Sequence, residues 1–192
     1  MDLGRMLEET GRNFAGKTAL IHNETILSYS DLNKFVNSFA NKLKSLGVGK
    51  GDKIAIILPN IPEFVISYFA AQKIGAVAVT LNIMSTAFEL SYLLENSDSR
   101  VVVTTGQLAP RAEEACRAMP NSPAIIVTNG LDQPSPFKDA LQGPFSFEIP
   151  EIEEDAPAVM IYTSGLTGKP LGAVLTHKNL YSQSDLLRNP LQ

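Results

Sequence analysis

At 192 residues, with 44 % apolar and 19 % charged side chains, the chain is long enough to bury about 70 % of its unfolded surface. Its Lys and Arg number 16 against 20 Asp and Glu, a net charge of −4 without basic clusters. That excludes a nucleic-acid binder, whose affinity comes from neutralising phosphates. One cysteine, Cys116, excludes an internal disulfide and any multi-cysteine metal site.

The first residues, MDLGRMLEET, lack the apolar core of a signal peptide, so the cytosol is the expected compartment. Leu3, Met6 and Leu7 predict a short amphipathic helix. Residues 11–18 then match the phosphate-loop pattern G-x-x-x-x-G-K-S/T letter for letter. That motif works only with a buried strand before it and a helix starting at its end, so that the helix N-terminus faces the phosphates. Here a polar helical segment precedes it, and two short strands around a His22-Asn23-Glu24 turn follow. It reads as a loop leading into a hairpin, and a nucleotide hydrolase built on Gly16, Lys17 and Thr18 is the reading to eliminate.

Ser30 or Asp31 can cap a helix with the apolar stripe Leu32, Phe35, Val36, Phe39, Leu43 and Leu46, ended by Gly47. Residues 53–58 form a buried strand by their continuous isoleucine-rich run, and Pro59 and Pro62 bracket a turn. Residues 63–74 form a largely buried helix stopped by Gly75, and 76–81 a second strand, making a right-handed parallel unit. Residues 61–81 are the most apolar region, but Glu63, Gln72 and Lys73 interrupt it, and no membrane span is expected.

The alternation repeats: a helix from Ser85 or Thr86 to about Glu95, a strand at 101–104, a helix at 107–119 and a strand at 124–127. Cys116, in the helical pattern RAEEACRAM, is expected as a small buried hydrophobe. The order predicts an α/β fold, a doubly wound, mostly parallel sheet with flanking helices. Residues 129–150, with four prolines and two glycines, read as a surface connection holding one helical turn near 137–141. The acidic cluster Glu151, Glu153, Glu154 and Asp155 reads as solvated surface. Thr176 or His177 caps a last helix at 178–187. No internal repeat or low-complexity tract interrupts the chain, and residues 1–192 are expected to form a single domain.

Residues 159–177 carry the chemistry. Strand-like residues 159–162 break into Thr163, Ser164, Gly165, Leu166, Thr167, Gly168, Lys169 and Pro170, and a second apolar run follows at 172–175. Such a loop between strands suits a triphosphate. Glycines let the backbone turn its N–H groups outward, while hydroxyls and an ammonium add donors to the anion. A mere strand-to-strand turn is the alternative.

YTSGLTGKPLG resembles the signature loop of the adenylate-forming (AMP-binding) enzymes, whose usual form reads Y-T-S-G-T-T-G-x-P-K-G. Nine of the eleven positions agree, counting the free one; Leu166 replaces a Thr and Leu171 the Lys. Upstream, LSYSDLNKFVNSFANKLKSLGVGKGDKIAIILPNIPEFVISYFAAQKIGAVAVTLN is similar in order and spacing to the front of a long-chain fatty-acyl-CoA synthetase (ligase).

The resemblance implies the front portion of the family's large domain, an N-terminal fragment of the adenylation domain. In the family a carboxylate attacks the α-phosphate of ATP, and a thiol, usually of coenzyme A (CoA), then displaces AMP. ATP, Mg2+ and CoA are therefore implied, with a fatty acid as partner. Thr163, Ser164 and Thr167 would donate hydroxyls to the β- and γ-phosphates, Gly165 and Gly168 backbone N–H groups, and Lys169 a flexible charge. Thr163 is also the implied contact with magnesium. No residue here is assigned a catalytic role, because the family's adenine site, magnesium-binding glutamate and C-terminal lysine all follow the signature loop. His177 fits the family pattern, with helix capping as its expected job.

The chain is therefore expected to be inactive alone. The alternative is a non-catalytic nucleotide-binding or interaction module that kept the fold. Leu166 favours it by removing a hydroxyl, worth about 1.5–3 kcal/mol against a charged group, and Leu171 by removing a charge. A sheet cut from a larger protein leaves an uncovered edge, so self-association is also expected.

Overall fold

A computed structural model of the chain describes residues 1–117, 119–163 and 170–188. Helix α1 (Leu3–Asn13) starts at Asp2, whose carboxylate accepts from the Arg5 backbone N–H at 2.9 Å. Strands β1 (Thr18–His22) and β2 (Thr25–Ser28) form an antiparallel hairpin, turning at Asn23 with φ 52°. The phosphate-loop look-alike is thus the end of a helix and a loop into a strand. Its first glycine, Gly11, lies within α1, where an added Cβ would sit 3.2 Å from Asn33.

Helix α2 (Tyr29–Ser45) follows β2 without a linker. Its cap is therefore Ser28, the last strand residue, rather than Ser30 or Asp31. The Ser28 hydroxyl accepts from the Asp31 N–H at 3.1 Å and lies 2.6 Å from the Asp31 carboxylate.

The main sheet is built from β3 (Lys53–Ile57), β4 (Val77–Thr80), β5 (Ser99–Thr105), β6 (Ala124–Thr128), β7 (Pro157–Thr163) and β8 (Leu171–Thr176). Its spatial order is β6-β5-β3-β4-β7-β8; every pair is parallel except β7 with β8. The connecting helices are α3 (Pro62–Ile74), α4 (Ala87–Ser97), α5 (Ala109–Cys116) and α6 (Pro136–Ala140), and α7 (His177–Arg188) follows β8.

Side chains alternate across a strand, and both faces of β3, β4 and β5 are covered, which explains their unbroken apolar runs. Ile54, Ile56, Val101 and Val103 pack with Val36, Phe39 and Leu43 of α2 and Ile66 and Ala70 of α3. On the opposite face Ala55, Ile57, Val79 and Val102 meet Leu90 and Leu94 of α4 and Ala112 and Cys116 of α5. Cys116 is a packed core atom with its thiol pushed up by burial, as expected of an inert residue. Gly75 ends α3 at φ 77°, a conformation L side chains rarely adopt.

The segment 129–150 is more than a surface connection. Phe137 is fully buried, its ring centroid 4.4 Å from that of Phe39. The carbonyls of Pro144, Phe145 and Ser146 accept from Ser38 (3.1 Å), Asn37 (2.9 Å) and Asn41 (2.8 Å) on α2. A loop laid against a core needs donors for its carbonyls, and the polar residues of α2 supply them.

Candidate functional site

Strand β7 enters the sheet beside β4, with Ala78 opposite Val159 and Thr80 opposite Ile161. Its carboxyl end therefore lies at the edge where the parallel strands end, the usual place for ligands in open α/β sheets. Strand β8 returns antiparallel, pairing Tyr162 with Gly172 and Thr163 with Leu171. Thr163 is exposed at the rim. Ser164, Gly165, Leu166, Thr167, Gly168 and Lys169 lie outside the described residues. Gly172 has its own reason to be glycine: an added Cβ would stand 3.1 Å from the Met160 Cγ and Sδ.

Helix α4 touches both rims of this loop. The Tyr162 hydroxyl donates to the Asn96 carbonyl oxygen at 2.7 Å, and the Tyr92 hydroxyl to the Pro170 carbonyl at 3.4 Å. Burial pushes the Tyr162 phenol up, which keeps it a donor. Tyr92 and Asn96 share one face by their spacing of four, the only signal that could have flagged them from sequence.

At the base of the hairpin, the His177 N–H donates to Ala156 at 3.2 Å and the Lys178 N–H to Glu154 at 2.7 Å. The cap of α7 is Thr176: its hydroxyl accepts from the Asn179 N–H at 3.2 Å, while the Asn179 carbonyl oxygen accepts from the Thr176 N–H at 3.0 Å. His177 does not cap. It is fully buried, and its Nδ1 accepts from the Leu3 N–H at 3.2 Å. An imidazole reaching back 174 residues has no local signature. The acidic cluster is solvated as expected: Glu154 is 3.5 Å from the Met1 ammonium and 3.6 Å from Lys178, and Asp155 is 3.8 Å from Lys178.

Of the expected phosphate donors, Thr163 alone is among the described residues, and it is exposed. Leu171, across the ladder, is 60 % exposed and supplies no charge. Lys17 sits elsewhere, 4.7 Å above the Phe14 ring. Among the described residues no cluster of metal-ligating side chains assembles. None of their helices is long and apolar enough to cross a membrane.

The sequence profile of the AMP-binding enzyme family matches residues 7–190. Crotonobetaine/carnitine–CoA ligase of Salmonella paratyphi A is 34 % identical over 191 residues, which span 93 % of this chain and 37 % of the relative. Benzoate CoA ligase from Burkholderia xenovorans has the same fold with a TM-score of 0.86 at 26 % identity, covering 97 % of this chain and 36 % of that one. ATP-bound MatB from Rhodopseudomonas palustris gives 0.86 at 27 % identity, covering 98 % and 38 %. The chain thus spans little more than a third of the length of these relatives.

Proposed function

The chain belongs to the AMP-binding enzyme family, and from that membership we propose that residues 1–192 form one domain unit, the N-terminal portion of a cytosolic, ATP-dependent acyl-CoA ligase. The observation that carries the proposal is the hairpin of β7 and β8: β7 ends at Thr163, at the carboxyl edge of a parallel sheet, where the family signature sequence runs on. The ATP-bound relative supports ATP as the nucleotide.

Bound ATP with magnesium would supply the α-phosphate that is attacked and the pyrophosphate that leaves. The chain's own residues would hold that leaving group in line: Thr163, Ser164 and Thr167 through hydroxyls, Gly165 and Gly168 through backbone N–H groups, and Lys169 through charge. Thr163 would also meet the magnesium. Tyr92 and Asn96 restrict the loop ends, so less freedom is lost when a ligand is gripped.

The related ligases act on a betaine and an aromatic acid by their names, and the class proposed here is a carboxylic acid. A long-chain fatty acid is the finer reading, supported by the resemblance upstream of the loop. CoA is the proposed acceptor thiol. Alone, the chain is proposed to be inactive, because it spans so little of its relatives. Incubation with ATP, magnesium, CoA and a panel of fatty, aromatic and betaine acids should release no pyrophosphate above a buffer blank. Release at a clear rate would overturn that.

One observation favours a second reading, a binding module without catalysis: exposed Leu171 stands where the family keeps lysine. On either reading β8 pairs only with β7 among the described residues, and Leu171 and Val174 are exposed along it. We propose that this edge mediates self-association. A monomer at high concentration in sedimentation would count against it.

A further inference from the structure

His177 is buried between the start of α1 and the base of the signature hairpin, and its protonation state is fixed by its partners. The Leu3 N–H donates to Nδ1, so Nδ1 must keep its lone pair and the ring proton must sit on Nε2. Nε2 is buried and has no hydrogen-bond partner among the described residues. A second proton could enter only at Nδ1, where it would meet the Leu3 N–H head on. The contact therefore exists with the neutral ring alone.

The charged groups nearby are few. Asp2 is 3 % exposed and tied to Arg5, with Nε at 3.2 Å. The Met1 ammonium pairs with Glu154, and Lys178 with Glu154 and Asp155. The His177 backbone N–H closes the hairpin by donating to the Ala156 carbonyl.

We propose that His177 is a positioning residue, a pH-sensitive tie between the first turn of α1 and the base of the hairpin that carries the signature loop, released when the imidazole is protonated. Burial pushes the imidazole below its ordinary range; the Asp2 charge pulls it back up and the amino-terminal charge presses it down. A histidine held low when docked binds its second proton more readily when released. The tie is therefore intact above about pH 6.5 and lost as pH falls through the lower docked value. In that window the ratio of released to docked first turn rises by up to about tenfold per pH unit.

The tie itself rests on geometry. Its consequence, weaker nucleotide binding in acid, rests on the reading under Proposed function. The test needs no nucleotide, so the two can fail separately. Histidine NMR on the full chain should show His177 neutral, with its proton on Nε2, at about pH 7.5. Amide exchange at Leu3, Arg5, His177 and Lys178, corrected for intrinsic rates, should lose protection as pH falls below about 6.5, following the imidazole titration.

His177→Asn keeps an acceptor near Nδ1 that cannot titrate, and should hold protection flat across this range. His177→Phe should lose it at every pH. If His177→Phe does not fold, the wild type and His177→Asn decide. A proton on Nδ1, a flat wild-type profile, or a pH step surviving in His177→Asn overturns the proposal.

Discussion

Lys73 is fully buried, and its ammonium has three hydrogens to satisfy. One goes to Glu8, one to the Asn33 carbonyl oxygen at 2.7 Å and one to that of Asn37 at 2.6 Å, so the charge joins α1, α2 and α3. Glu8→Ala would strand the ammonium on two neutral amides. Breaking a fully buried pair by removing one partner costs about 3–5 kcal/mol. Glu8 is 22 % exposed, so water recovers part of this, and about 2–3 kcal/mol is expected. For a chain of this size the loss lowers Tm by about 5–10 °C.

Lys73→Met should cost less, about 1–2 kcal/mol, because the buried charge goes with the side chain and two amide oxygens lose their donor. The double variant should recover part of the Glu8→Ala loss. Burial pushes the Glu8 carboxyl up, but Lys73, with Asn33 and Arg12, outweighs it and holds the carboxyl below its usual range. This contribution is thus present above the ordinary carboxylate value and lost as pH falls through the lowered one. Urea unfolding with an unchanged slope reads the effect. A Glu8→Ala loss under about 0.5 kcal/mol, or a Lys73→Met loss exceeding it, would refute the reasoning.

Phe137→Ala should cost about 3–5 kcal/mol, measured by urea unfolding, because its ring fills space against Phe39; a surface connection would lose about 0.5 kcal/mol or less. Gly4→Ala should destabilise although alanine favours helices by about 1 kcal/mol, since the added Cβ would stand 2.9 Å from the Lys73 Cα. A raised Tm would contradict that packing.

Much of the sheet could be read from residue patterns. The runs in β3, β4 and β5 are apolar because both faces are covered, and Gly75 marks a true helix end. The pairing of polar residues inside α3 was not legible in the same way. Glu63, Gln72 and Lys73, which interrupt the apolar region 61–81, are all buried. Glu63 accepts from the Thr128 hydroxyl at 3.0 Å, and Gln72 donates to the Ala158 carbonyl at 3.0 Å. Their partners are far away in sequence, where periodicity carries no information.

The site divides in the same way. Its order, β7 then the signature sequence then β8, could be read locally, because the turn residues announce themselves. The hold of Tyr92 and Asn96 on the loop rims, and of Leu3 on His177, could not, because each depends on where distant elements pack. The capping of α2 by Ser28 was missed for a simpler reason: the strand ends directly at the helix, leaving no linker to mark the boundary.

The central claim is that the loop between β7 and β8 holds polyphosphate, and magnesium–ATP calorimetry tests it most directly. The account predicts binding at about millimolar strength, on the order of −4 kcal/mol. That binding should be lost in Lys169→Ala and unchanged in Lys17→Ala. Binding that survives Lys169→Ala and disappears with Lys17→Ala would contradict it.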